Sequence, residues 1–84
     1  MNIIAVFSNR NHTMQFATYL KRVGIRNKTI NTPGEINQAC GISVMFWDKD
    51  LASARFVLSK SMLASFKGFF LVIGDGVFKK YKAI

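Results

Sequence analysis

Four short segments of the sequence have the composition of β-strands. Residues 2–7 (NIIAVF) form an almost continuous apolar run with β-branched side chains, which is typical of a central strand. Residues 42–47 (ISVMFW) alternate between two faces, and residues 69–73 (FFLVI) form another apolar run. Residues 25–30 (IRNKTI) are apolar only at their two ends and carry two basic side chains, as edge strands often do.

Two segments between these strands carry apolar residues at helical spacing. The apolar stripe of the first consists of Phe16, Leu20 and Val23. We expect Thr13 or Asn11 to cap this helix and Gly24 to terminate it in a left-handed conformation. Asp48 is expected to cap the second helix. The inward stripe of the second helix consists of Leu51, Ala54, Leu58 and Met62.

The order of these elements predicts the topology. With right-handed crossovers, the order βαββαβ gives a two-layer α+β sandwich of ferredoxin-like topology, in which both helices cover one face of a mainly antiparallel sheet. The apolar fourth strand then lies at a sheet edge. We expect residues 77–84 (VFKKYKAI) to cover that edge, either as a short fifth strand or by docking loosely, with homodimerisation as the alternative. We take residues 1–84 as a single domain, with its core at about 2–73 and a basic tail at 77–84.

The composition of the chain is typical of a small folded protein and indicates the cellular compartment in which it works. Half of the 84 residues are hydrophobic and 13% are aromatic, so a compact core is expected rather than disorder. The single cysteine cannot form an internal disulfide, which favours a reducing compartment. The longest apolar run is far shorter than the roughly 20 residues that cross a bilayer, and no signal sequence is evident. We therefore expect a cytoplasmic protein that makes no membrane contact.

The charge of the chain favours anionic partners. Twelve Lys and Arg residues against four acidic ones give a formal net charge of +8, which suits nucleic acid or an acidic protein. Dispersed charge is also typical of a solvated surface. One hypothesis is therefore a non-catalytic basic binding module. Its contacts with nucleic acid or an acidic partner would come from the tail residues Lys79, Lys80, Tyr81 and Lys82.

The candidate chemistry of the chain rests on Cys40. His12 has no cysteine, carboxylate or second histidine at ligand spacing, so we expect no metal site, and we assign no catalytic residue and no cofactor. Cys40 follows a segment that contains the only proline, and Gly41 has no Cβ to prevent close approach to the sulfur. The alternative for a lone cysteine beside a strand is a small buried hydrophobic residue. The sequence thus favours a carrier or binding protein over an enzyme.

The segment Thr-Pro-x-Glu-Ile-x-x-x-Cys-Gly, between the second and third strands, resembles the selenium/sulfur carrier protein-like family of small bacterial domains. The similarity covers roughly residues 3–72. Its specific positions are Thr32, Pro33, Glu35, Ile36, Cys40 and Gly41. Family members commonly have a second proline where Asn31 stands and an arginine where Gly34 stands. The resemblance implies that Cys40 carries sulfur as a persulfide, or the corresponding selenium species.

A carrier hypothesis follows from this resemblance. Cys40 would accept sulfur or selenium from a donor protein and pass it to an acceptor protein. The supporting loop would consist of Thr32, Pro33, Glu35 and Gly41. Arg26 or Lys28 would attract the anionic sulfur. A further alternative is a regulatory interaction protein that acts through the apolar edge of the fourth strand, by strand addition or homodimerisation.

Overall fold

The computed structural model describes residues 1–36 and 40–84, which form one antiparallel sheet and two α-helices. The strands are β1 (Asn2–Phe7), β2 (Asn27–Asn31), β3 (Ile42–Trp47), β4 (Phe66–Ile73) and β5 (Lys80–Ala83). The helices are α1 (Arg10–Arg22) and α2 (Leu51–Ser61), with short 3₁₀ turns at Asp48–Asp50 and Gly76–Phe78. In the described ranges, neither helix is long and apolar enough to span a membrane.

The strand order is β2-β3-β1-β4-β5, and every neighbouring pair is antiparallel. The first four positions have the ferredoxin-like order, so the α+β prediction is confirmed. The tail supplies β5, which pairs with β4. In this pairing Phe70 lies opposite Ala83 at one end, and Ile73 lies opposite Lys80 at the other. Because β5 covers β4, the apolar fourth strand is not an edge strand, and the hypothesis of strand addition at that edge is wrong.

Both faces of β1 are buried, which explains its continuous apolar sequence. The odd-numbered residues of 3–7 pack with α1 and α2 in the main core. On the other face, Ile4 and Val6 pack against Ile36, which comes from the loop after β2. Successive side chains of a strand point to opposite faces, so a strand covered on both sides needs apolar residues at every position.

The helix starts differ from the sequence prediction. Asn9 caps α1, since its side chain accepts a hydrogen bond of 3.0 Å from the His12 N–H. Neither Thr13 nor Asn11 is the cap, because both lie inside the helix. The second helix also starts later than predicted: residues 48–50 form a 3₁₀ turn, and α2 begins at Leu51 rather than just after Asp48.

The helix ends also differ at two apolar positions. Val23 is 58% exposed, and it follows the last residue of α1 instead of continuing the inward stripe. Gly24 comes next with φ +83°, as predicted for a left-handed terminating residue. Met62 is 92% exposed in a left-handed turn, and Leu63 takes the buried position instead. Val23 and Met62 are the last residues of the two predicted apolar stripes, and each lies just beyond the end of its helix. Their side chains therefore do not continue the buried face of the helix.

Candidate functional site

Cys40 lies two residues before β3, at the end of the sheet where β1 leads into α1. Its backbone N–H donates a hydrogen bond of 3.1 Å to the carbonyl oxygen of Phe7, the last residue of β1. The residue is half-buried. The Phe7 bond therefore holds the cysteine beside the turn between β1 and α1, with part of its surface open to solvent.

Two oxygen atoms lie within hydrogen-bonding distance of the Cys40 sulfur. Sγ is 3.3 Å from Oγ1 of Thr13 and 3.4 Å from the carbonyl oxygen of Ile42. Thr13 is fully buried, and its hydroxyl donates to the Asn9 carbonyl over 3.2 Å. A hydroxyl has one proton and two acceptor sites, so Thr13 can accept from a thiol or turn its proton to a sulfur that has none. The sulfur thus has a polar partner in either protonation state.

The start of α1 is what brings Thr13 to the sulfur. Asn9 caps the helix, and Thr13 stands one turn further on, facing the segment before β3. On another side of the same turn, Nδ1 of His12 lies 2.7 Å from Oγ of Ser65, just before β4. The N-terminal end of a helix carries partial positive charge. Cys40 therefore lies against the electropositive end of α1, and the first turn of this helix is joined through His12 to Ser65, the residue before β4.

Thr32 and Gly41 are joined directly, on either side of the cysteine loop. The Thr32 N–H donates to the Gly41 carbonyl over 2.9 Å, and Oγ1 of Thr32 lies 2.6 Å from Oγ of the fully buried Ser43. Gly41 has φ +98°, a conformation that L side chains rarely adopt, so the position favours glycine for its backbone conformation. These contacts bring three of the predicted residues, Thr32, Cys40 and Gly41, to one end of the sheet.

The middle of the loop lies on the other face of the sheet. The Ile36 N–H donates to the Pro33 carbonyl over 3.0 Å, which closes a turn. Ile36 is buried against the sheet, Pro33 is half-buried and Glu35 is exposed. Residues 37–39 lie outside the described part of the chain. Ile36 therefore anchors the loop on the open face of the sheet, whereas the Cys40 sulfur contacts Thr13 of α1, on the helix-covered face.

The structure does not bring Arg26 or Lys28 to the sulfur. Arg26 precedes β2, whereas Thr32, next to the cysteine loop, follows it. Six extended residues span about 20 Å, so Arg26 lies at the opposite end of the sheet. Lys28 pairs with Met45 within the β2–β3 ladder and is exposed. We do not include either residue in the proposed site.

The basic tail residues form a separate surface. Lys80 and Lys82 are exposed on β5, the outermost strand beyond β4, and Lys79 directly precedes that strand. Tyr81 is half-buried against the open face of the sheet. Nucleic-acid binding through these residues stays a prediction.

Sequence reasoning missed two contributors to the site. The sequence predicts Thr13 only as a candidate helix cap, and the backbone carbonyl of Phe7 carries no side-chain signal at all. Thr13 and Cys40 are 27 residues apart, and their contact depends on how the start of α1 packs beside the segment before β3. The one sequence signal for this contact is that Thr13 lies near the start of a helix that directly follows a strand.

The fold and the site together define a small α+β protein with one half-buried cysteine at the end of its sheet. Residues 2–67 match the family described as "Putative Se/S carrier protein-like", so the chain belongs to that family. The matched region includes Cys40 and ends within β4, before β5. Comparisons with curated proteins and with solved structures gave no match.

Proposed function

We propose that the protein is a carrier that holds one sulfur or selenium atom on Cys40 between a donor and an acceptor protein. The observation that supports this most is the surroundings of Sγ: it is half-buried, and it lies 3.3 Å from Oγ1 of Thr13, a hydroxyl that can donate to an anionic sulfur. A structural cysteine packs as a small apolar side chain. Polar partners and partial exposure suit a sulfur that reacts.

The loading step is an exchange between sulfur atoms. The Cys40 thiolate attacks the outer sulfur of a persulfide on the donor protein, and a new S–S bond forms on Cys40. The S–S bond of the donor breaks, and the donor cysteine leaves as a thiolate that takes the proton Cys40 released. No electron is gained or lost overall. Delivery is the same exchange in reverse, with a thiolate of the acceptor as the nucleophile, and a selenium atom in place of the outer sulfur follows the same balance.

Neighbouring residues have defined roles in this proposal. The Thr13 hydroxyl donates to the anionic sulfur before attack. Gly41 presents no side chain beside Cys40, and its bond to Thr32 keeps the two ends of the loop together. The exchange also needs reduced thiols, so we place the carrier in the cytoplasm, with residues 1–84 acting as one domain and with the donor and acceptor proteins as its partners.

A loading assay tests the proposal. The protein is incubated with a cysteine desulfurase and cysteine, and mass spectrometry measures whether a labile sulfur atom is added. We expect one added sulfur on the wild type, released by dithiothreitol, and none on Cys40→Ser. No uptake by folded wild-type protein, or alkylation of Cys40 only in denaturant, would rule out the carrier function.

A second variant tests the role assigned to Thr13. Thr13→Val removes the hydroxyl near the sulfur and preserves the shape of the side chain. Loss of one hydrogen bond, worth about 0.5–1.5 kcal/mol, should slow loading by roughly twofold to tenfold. Thr18→Val is the matched control, because Thr18 lies in the same helix and its hydroxyl bonds only to the Met14 carbonyl among the described contacts. Equal rates for the two variants would remove Thr13 from the site.

A further inference from the structure

The outer surface of the helix layer has an apolar groove between the C-terminal end of α1 and α2, with a volume of about 360 Å³. We call it the interhelix groove. Its apolar part consists of Tyr19, Val23, Phe56 and Val57. Val23 is 58% exposed and Phe56 is 65% exposed. Tyr19 and Val57 are half-buried against the core. The apolar surface that the fold leaves uncovered in the groove is therefore mainly that of Val23 and Phe56.

Cations border the interhelix groove on both helices. The Arg22 guanidinium lies 6.0 Å from the ring centre of Tyr19, and Nζ of Lys60 lies 5.5 Å from the ring centre of Phe56. Such cation–π contacts keep both charges next to the apolar surface. Among the described residues, those that line the groove include no carboxylate. Asp50 does not line the groove but lines an adjoining depression that shares Val23 and Phe56 with it.

We propose that the interhelix groove binds an acidic amphipathic helix from a partner protein. A groove between two adjacent helices accepts the apolar face of a third helix, and acidic residues beside that face would pair with Arg22 and Lys60. The short groove fits one or two large apolar side chains of the partner.

A second copy of this chain suits the groove less well. A twofold-symmetric contact packs the same surface patch of both copies together, so that a residue i of one copy contacts a residue j of the other and j contacts i. Arg22 and Lys60 of one copy would then face the cations of the other, in a protein with a net charge of +8. Like charges brought together in this way oppose association. Charge complementarity therefore favours an acidic partner.

The interhelix groove is separate from the cysteine site. Thr13 contacts the sulfur near the start of α1, and Arg22 is nine residues further along the helix, a distance of about 14 Å along the axis. A partner helix in the groove would leave Cys40 accessible. The binding proposal consequently does not depend on sulfur transfer, and Cys40→Ser should bind the partner helix as the wild type does.

A labelled synthetic peptide tests the proposal. The probe is a glutamate-rich helix with two leucines one turn apart, and fluorescence anisotropy measures its binding to the full chain. A peptide with lysine in place of glutamate is the charge control. We expect Phe56→Ser to weaken binding of the acidic peptide at least about tenfold, and Lys60→Gln to weaken it about threefold and reduce its salt dependence.

Matched variants lie outside the groove. Phe78→Ser removes an aromatic side chain that is 80% exposed, and Lys67→Gln removes an exposed cation of β4. Both should bind the acidic peptide within twofold of the wild type. All four positions are exposed, so circular dichroism should show an unchanged fold. Equal weakening by Lys67→Gln and Lys60→Gln, with no effect of Phe56→Ser, would show attraction by net charge alone and overturn the proposal.

Two further results would assign the groove to another occupant. Binding to phosphatidylglycerol vesicles that Phe56→Ser abolishes, without peptide binding, would show a membrane-binding surface. A dimer in sedimentation experiments that Phe56→Ser dissociates would show a contact between copies. Either result would refute the acidic-helix proposal.

Discussion

Replacing Thr32 with valine should destabilise the protein through a residue that is not itself changed. Oγ1 of Thr32 lies 2.6 Å from Oγ of Ser43, and Ser43 is fully buried in β3. Valine has nearly the shape of threonine but cannot hydrogen-bond, so the Ser43 hydroxyl would stay buried without this partner. Leaving a buried polar group unsatisfied costs about 1–3 kcal/mol.

This cost is large enough to measure. A protein of this size is stable by only about 4–13 kcal/mol, and each kcal/mol shifts Tm by about 4–8 °C. Urea unfolding followed by circular dichroism gives the free energy directly. The double variant Thr32→Val with Ser43→Ala removes both hydroxyls, and we expect it to regain most of the loss, since no polar group is then left unpaired.

Two results from these variants would contradict the role assigned to the Thr32–Ser43 hydrogen bond. If Thr32→Val unfolds at the same urea concentration as the wild type, Ser43 does not depend on Thr32. If the double variant is less stable than Thr32→Val alone, the loss comes from packing. In either case the hydrogen bond would not be what ties the cysteine loop to β3.

Two other predictions concern the backbone around the site. Gly41→Ala should lower the free energy of unfolding by about 1–2 kcal/mol, because Gly41 has φ +98°. Gly34→Ala, with open space around that residue, should change the free energy of unfolding by less than about 1 kcal/mol. Equal effects of the two substitutions in thermal melts would contradict the role of the left-handed conformation. Asn9→Ala removes the cap that accepts from the His12 N–H and should cost about 1 kcal/mol, and a melt unchanged from the wild type would show that α1 does not need this cap.

The sequence predicted most of the fold because the strands differ in composition. The continuous apolar run of β1 marks it as central. The two basic residues of the segment 25–30 mark the second strand as an edge, although only Lys28 lies within β2 itself. An uncovered apolar β4 is unfavourable, so the sequence predicts that the tail covers it. The structure adds that the tail does so as a paired strand, β5. Element ends were harder: Met62 continues the apolar periodicity of α2, yet the chain turns at that residue. Periodicity does not show where a helix stops.

The candidate site was less predictable than the fold. The motif identified Cys40, Gly41 and Thr32, which the structure does bring together. Arg26 and Lys28 come shortly before the loop in the sequence, but closeness in sequence does not show in which direction β2 carries them. In an antiparallel pair, the residues of β2 nearest the start of β3 are those at its C-terminal end, so Arg26 lies at the far end. The Thr13 contact arises from helix packing, which a local pattern does not contain.

The position of β1 in the sheet also has a consequence for biosynthesis. β1 is synthesised before the other four strands of the sheet, but its neighbours are β3 and β4, and Ile3 pairs with Leu71 in β4. Until β4 has been translated, the most apolar strand of the nascent chain has an unfilled hydrogen-bonding edge. Contacts this distant in sequence slow folding and prolong the exposure of aggregation-prone strands. We therefore expect the nascent chain to depend on chaperones more than its small size suggests.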